Sequence, residues 1–276
     1  MRIVIIMSKQ ASAKMSEINE AIEFNEISKS IFNYVNKLDG LKKNVRRYQA
    51  TVRPFEADSS KKSGSTIVLR SDTFLELGSP AAGSMSFVVC SASDDSINDG
   101  EIIVIGSEVA ESENKQMPLG LVILIAGRAL TEEDRFALLN YSIPADLCEG
   151  FMIKSTLENI WCRISYEAAA KGLSFQRIGE ALISRIKAEF PPAEAVSILF
   201  VTSEKQDVLG LKELGEPVSQ MVKEMKRKIW EERGVDISQC KPGGHCGACE
   251  EKDVCQEVKK ISGAYQKEAG KNHEKL

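Results

Sequence analysis

Phe175-Gln-Arg-Ile-Gly-Glu-Ala-Leu-Ile-Ser-Arg-Ile-Lys-Ala-Glu-Phe190-Pro191-Pro192-Ala-Glu-Ala195-Val-Ser-Ile-Leu-Phe-Val201 is the stretch that decides the fold. Phe175, Ile178, Leu182 and Ile186 recur at helical spacing and make one apolar stripe. Pro191-Pro192 ends that helix, because proline brings no N–H and its ring clashes with the preceding turn. Ala195 to Val201 is then apolar and rich in β-branched residues, as a buried strand should be. A helix that leads into a buried strand, after an earlier run of strands, predicts an α/β (or α+β) architecture with a mixed sheet covered by helices.

Upstream of this stretch, Thr66 to Leu69, Ser84 to Cys90, Glu101 to Ile105 and Leu119 to Ala126 read as strands. They are separated by turn-formers at Gly78-Ser79-Pro80, Asn98-Asp99-Gly100 and Met117-Pro118-Leu119-Gly120. Thr131, followed three residues later by Asp134, has a spacing related to the capping box and opens a helix. Further helices are expected over Glu158 to Ala170 and over Pro217 to Arg233, the latter with Val218, Met221, Val222, Met225 and Ile229 on one stripe. Near the amino terminus, Ile18, Ile22, Ile27, Ile31 and Val35 give residues 8 to 48 a helical texture that Asp39-Gly40 interrupts. The polar run Asp58 to Ser65 offers nothing to bury and reads as a linker. The expected division is therefore an N-terminal helical segment and linker over 1–62, an α/β domain over 63–205, and a C-terminal helix, cysteine motif and polar tail over 206–276.

The 276 residues suffice for a sizeable core without a metal staple, and 43% hydrophobic with 28% charged residues is ordinary for a globular protein. A net charge of -4 argues against a general nucleic-acid binder. Met1 to Met7 is too short for a signal-peptide core, and no run reaches membrane-spanning length. The expectation is a cytoplasmic protein with neither nucleic acid nor membrane as partner. There is no P-loop, no G-x-G-x-x-G after a strand and no H-E-x-x-H, and His245 and His273, the two histidines, both lie in the C-terminal region. General acid–base catalysis has no clear candidate in the main body, and whether the chain is an enzyme stays open.

Cys240, Cys246, Cys249 and Cys255 carry the clearest chemistry, spaced C-x5-C-x2-C-x5-C with Gly243, Gly244 and Gly247 between them. Thiolates set two residues apart on a glycine-bearing turn can converge on one metal. Zinc and iron–sulfur compete for such a site. Structural zinc sites tend to pair two C-x2-C hooks, whereas here Cys246 and Cys249 form one hook with single thiols on either side, which leans toward an iron–sulfur cluster of the 4Fe–4S type. His245, beside Cys246, is read as a group that supports the thiolates more than as a ligand itself. Cys90, Cys148 and Cys162 stand alone in apolar surroundings and read as core residues.

Between residues 72 and 202, several phrases occur in a fixed order: Phe74-Leu-Glu-Leu-Gly78-Ser-Pro80, Asn98-Asp-Gly100-Glu-Ile-Ile-Val-Ile-Gly106, Met117-Pro-Leu-Gly120 running into Ile125-Ala-Gly127, Ile160-Trp-Cys-Arg-Ile-Ser165, and Gly172-Leu-Ser-Phe-Gln-Arg-Ile-Gly179. This pattern resembles the middle region of the acetyl-CoA synthase (β) subunit of carbon monoxide dehydrogenase/acetyl-CoA synthase complexes. The resemblance implies an α/β region placed ahead of a nickel and iron–sulfur active-centre domain, whose Cys-Gly-Cys signature has no counterpart in this sequence. It also implies that Trp161 and Arg163 fall in a part of the family associated with coenzyme A and inter-domain contacts. The bulk of Trp161 supports the competing reading of a core residue. The implied function is an iron–sulfur accessory or docking protein of one-carbon and acetyl-CoA metabolism, with complex components or a corrinoid protein as partners. The alternatives are a zinc-folded interaction module and a stand-alone enzyme of acyl-CoA or methyl-group transfer.

Overall fold

The computed structural model describes residues 26–51, 67–91, 97–112, 114–145, 147–156 and 158–232. In chain order the elements are helix α1 (26–40), β1 (Val45–Gln49), β2 (Thr73–Leu77), β3 (Ser84–Ser91), β4 (Glu101–Ile105), β5 (Gln116–Met117), β6 (Leu119–Ala126), α2 (Glu132–Leu139), β7 (Phe151–Ser155), β8 (Ile160–Ser165), α3 (Tyr166–Ala170), α4 (Phe175–Glu189), β9 (Ala195–Val201) and α5 (Lys205–Glu232). The chain divides into two units, Met1–Val222 and Lys223–Leu276. Both sheets and the helices packed on them belong to the first, and the described part of the second is helical backbone as far as Glu232.

The strands form a five-stranded sheet, β1-β4-β9-β6-β3, and a four-stranded sheet, β5-β2-β8-β7. Both are mixed: β4 runs parallel to β9 and β3 to β6, while β1, β6 and β9 supply antiparallel pairings, and in the smaller sheet β5 is parallel to β2 with β2, β8 and β7 antiparallel. The expected α/β class with a helix-covered mixed sheet is what the chain adopts. Burial on both faces explains the mostly apolar runs of β4, β6 and β9, every residue of which is buried, Glu101 and Ser197 included.

One face of the larger sheet meets the smaller sheet and α4. Leu119, Leu121 and Phe200 from the larger sheet converge there with Leu77, Ile160 and Cys162 from the smaller one and with Phe175, Ile178 and Leu182 of α4. The opposite face meets α5. A Cβ on Gly215 would stand 2.4 Å from the Phe87 ring, so the absent side chain is what lets this helix lie close on β3. Helix α1 buries Ile27, Ile31, Val35 and Leu38, and the Tyr34 hydroxyl donates to the Asp207 carbonyl of α5 at 2.7 Å.

Several local expectations hold. The capping box at Thr131 is formed in both directions: Asp134 N–H donates to Thr131 Oγ1 at 3.1 Å and Thr131 N–H donates to Asp134 Oδ2 at 2.9 Å. Helix α4 ends at Glu189, just before the Pro pair, with Phe175, Ile178, Leu182 and Ile186 buried.

Others do not hold. Residues 45–49 are strand, so the helical texture expected through 48 stops at residue 40. Residues 67–69 are irregular, because Ile67 and Leu69 stand exposed and enter neither ladder; the strand begins at Thr73. The helix expected from Glu158 is instead β8 followed by the short α3. Ile160, Cys162 and Ile164 alternate strictly with Trp161, Arg163 and Ser165 between buried and half-buried, a period of two that fits a pleat and not a helix. Ser165 then caps α3 by accepting from Ala168 N–H at 3.1 Å. Strand β7 was not expected at all. Pro217 does not open the last helix but lies inside α5. The missing N–H there is outweighed by a stripe of buried Val208, Leu211, Val218 and Val222 that continues on both sides of the proline. The linker expected over 58–65 lies outside the described residues.

Candidate functional site

The four-stranded sheet is two-faced. Leu75, Leu77, Phe151, Ile153, Ile160, Cys162 and Ile164 point to the core, and the alternate positions of the same strands form an outer face. Register places Gln116, Glu76, Arg163 and Met152 in one row across all four strands, with Trp161 opposite Lys154 in the next. Phe74 lies at a shift in the ladder, where its ring meets Tyr166 edge-on at 5.7 Å.

Trp161 is therefore half-buried on this outer face and not in the core, contrary to the reading of its bulk. Its Nε1–H donates to Glu76 Oε1 at 2.7 Å, and the Arg163 guanidinium carbon lies 4.6 Å from the centre of its ring. That is a cation–π pair, worth about 1 kcal/mol at a partly exposed site. Arg163 Nη2 stands 3.8 Å from Glu76 Oε1, within ionic reach but beyond a hydrogen bond, and its Nε is buried with no hydrogen-bond partner. Gln116 Nε2 donates to Glu76 Oε2 at 3.2 Å. The structure thus brings the two expected residues, Trp161 and Arg163, together in direct contact.

Sequence reasoning missed Glu76, the residue that touches both. The signal available was the alternation Phe74-Leu75-Glu76-Leu77, which puts Glu76 on the face opposite two buried leucines. What one sequence does not reveal is that β2 pairs with β8 in a register that sets Glu76 opposite Arg163.

Chemically the cluster combines an aromatic face with two opposite charges. It offers a flat indole, a guanidinium with uncommitted donors and a carboxylate fixed between them. Both histidines lie outside the described residues, and the three described cysteines are poor nucleophiles. Burial pushes the Cys90 thiol up to about 12 and the Cys148 thiol up to about 11, and raises that of Cys162 well above its ordinary value. A thiol near 12 leaves about one thiolate in ten thousand at pH 8. Iodoacetamide at that pH, followed by peptide mass mapping, should leave Cys90 and Cys162 unmodified in the native protein and label both after guanidinium unfolding. Native labelling of either contradicts their burial.

Cys240, Cys246, Cys249 and Cys255 lie outside the described residues. Among the described residues there is no group of three or more His, Cys, Asp or Glu side chains placed to hold a metal ion, and no helix long and apolar enough to cross a membrane.

Comparison with known proteins bears on the same region. Residues 54–208, more than half of the chain, match the family model described as CO dehydrogenase/acetyl-CoA synthase complex beta subunit. The chain is 31% identical over 135 residues to the acetyl-CoA decarbonylase/synthase complex subunit beta of Methanothermobacter thermautotrophicus, which covers 48% of this chain and 28% of that protein. It is 27% identical over 155 residues to subunit beta 2 of Methanosarcina thermophila, covering 55% and 31% respectively. It is 29% identical over 159 residues to the carbon monoxide dehydrogenase/acetyl-CoA synthase subunit alpha of Moorella thermoacetica, covering 54% and 20%. The chain thus spans about a third or less of the length of these curated relatives. The matched segment covers more than half of the chain and contains Glu76, Gln116, Trp161 and Arg163, and this chain belongs to the CO dehydrogenase/acetyl-CoA synthase complex beta subunit family.

Proposed function

We propose that the chain is an accessory component of a carbon monoxide dehydrogenase/acetyl-CoA synthase type of assembly. Its α/β body presents Trp161 and Arg163 to coenzyme A, and Cys240, Cys246, Cys249 and Cys255 hold a 4Fe–4S cluster. The observation that carries the reading is the contact of Trp161 with Arg163 on an outer sheet face, inside the segment that matches the family. An indole and a guanidinium with free donors suit a ligand that combines a flat ring with phosphates. Four thiolates supply the ligand number of a cubane cluster, and such a cluster provides one-electron transfer when bound. The relatives are named as subunits of a complex, so docking to other components of such a complex is the role assigned to the body.

Anaerobic purification followed by iron, zinc and sulfide analysis tests the metal. About four irons and four sulfides per chain are expected, with marked loss in Cys246→Ser. A colourless protein with one zinc and no sulfide would falsify the redox role and favour a zinc-folded module. For the coenzyme, Trp161→Ala should weaken coenzyme A binding at least tenfold, about 1.4 kcal/mol, with the thermal unfolding of the body preserved. Equal affinity in the variant removes Trp161 from the site.

A further inference from the structure

Glu76 has a place in this cluster that neither expected residue has, because one carboxylate meets side chains from three positions on two neighbouring strands. Its Oε1 accepts from Trp161 Nε1 at 2.7 Å and lies 3.8 Å from Arg163 Nη2, while its Oε2 accepts from Gln116 Nε2 at 3.2 Å. Gln116 is its direct neighbour on β5 and Arg163 its direct neighbour on β8. The indole is thereby fixed at its one polar atom, and the guanidinium is held on the ring by charge without being hydrogen-bonded to the acid. We propose that Glu76 is the positioning residue of this face: it sets the Trp161–Arg163 pair and, by its charge, limits how strongly Arg163 attracts an anionic ligand. The ligand half of this inference rests on the coenzyme A reading given above.

Two effects follow from one carboxylate, and they oppose each other. Orientation favours binding, since a fixed indole and guanidinium lose less freedom when a ligand arrives. Charge opposes it, since the acid lies beside the same guanidinium that would meet a phosphate. Glutamine separates the two. Its amide oxygen still accepts from the Trp161 N–H, but the negative charge is gone. Alanine removes both.

The test uses the full chain with Trp230→Phe, so that Trp161 is the single tryptophan. Without ligand, Glu76→Ala should shift the Trp161 emission to the red and raise its acrylamide quenching about twofold, whereas Glu76→Gln leaves both as in the parent. Binding is then measured with coenzyme A and with inorganic pyrophosphate as a probe of charge alone. Glu76→Gln should bind both about tenfold more tightly, the effect of one like charge removed at a partly exposed site. Glu76→Ala should bind coenzyme A more weakly than the parent although it has lost the same charge. A purely structural role predicts the two variants to move together, and that result overturns the proposal. An Ala variant whose Trp161 emission does not change overturns it as well. If the parent binds neither probe, the coenzyme A reading fails, and the ligand-free emission still decides whether Glu76 positions the pair.

Discussion

Gly106→Ala should destabilise the body by roughly 3–5 kcal/mol, combining a disfavoured backbone conformation with a steric conflict. Gly106 follows β4 with φ at +112°, and a Cβ there would lie 2.4 Å from the backbone nitrogen of Ser203 and 2.6 Å from its Cα. These are backbone atoms, so no side chain can rotate away. The position is also a junction: Gly106 N–H donates to the Asn44 carbonyl, and Thr202 N–H donates to the Ile105 carbonyl at 2.8 Å, so chain segments next to β1, β4 and β9 meet there. A displacement at Gly106 is passed to the centre of the larger sheet. For a domain of this size the cost corresponds to a fall of about 10 °C in the unfolding midpoint, measurable by calorimetry or circular dichroism. Gly40→Ala is the control, because nothing lies within 4 Å of a Cβ there, and it should change stability little. Comparable midpoints for the two variants would contradict the described geometry at Gly106.

Phe175→Ala should cost about 3–5 kcal/mol through a different cause, the loss of a buried ring and the cavity it leaves. Phe175 is 1% exposed and its ring centroid lies 5.0 Å from that of Phe200 on β9. It borders the small apolar gap between the two sheets, together with Leu77, Leu121, Ile153 and Cys162, so truncation enlarges a space that is already imperfectly filled. The side chains around it come from both sheets and cannot all collapse inward at once. Phe175→Leu, which keeps most of the volume, should cost clearly less. Urea titrations measure both, and an alanine variant as stable as the leucine one would show that the ring does not bridge the sheets.

The parts of the fold that could be read from sequence are those in which one physical signal dominates. The helical stripe of α4, its proline stop and the apolar β9 met no competing signal, and neither did β4 and β6, which are buried on both faces. Strand β8 was harder. Ile160-Trp-Cys-Arg-Ile-Ser165 sits beside Tyr166-Glu-Ala-Ala-Ala170, whose helix-forming residues extend a helical reading backward over six residues that alternate with a period of two. At Pro217 the local rule for proline was sound, but burial of the stripe across it prevailed. The candidate site was legible in its members Trp161 and Arg163 and not in its organisation, because Glu76, 85 positions from Trp161 in the chain, joins them only through cross-strand register. The metal site rests wholly on the spacing of four cysteines.

Strand β8 carries two interleaved texts. Ile160, Cys162 and Ile164 answer to the packing between the sheets, while Trp161, Arg163 and Ser165 answer to whatever meets the outer face or to the start of α3. Because the pleat keeps the two sets on opposite sides, a lineage can rewrite the outward letters without disturbing the core that keeps the strand in place. A substitution at Trp161 or Arg163 should accordingly alter the outer face while leaving the packing of Ile160, Cys162 and Ile164 intact.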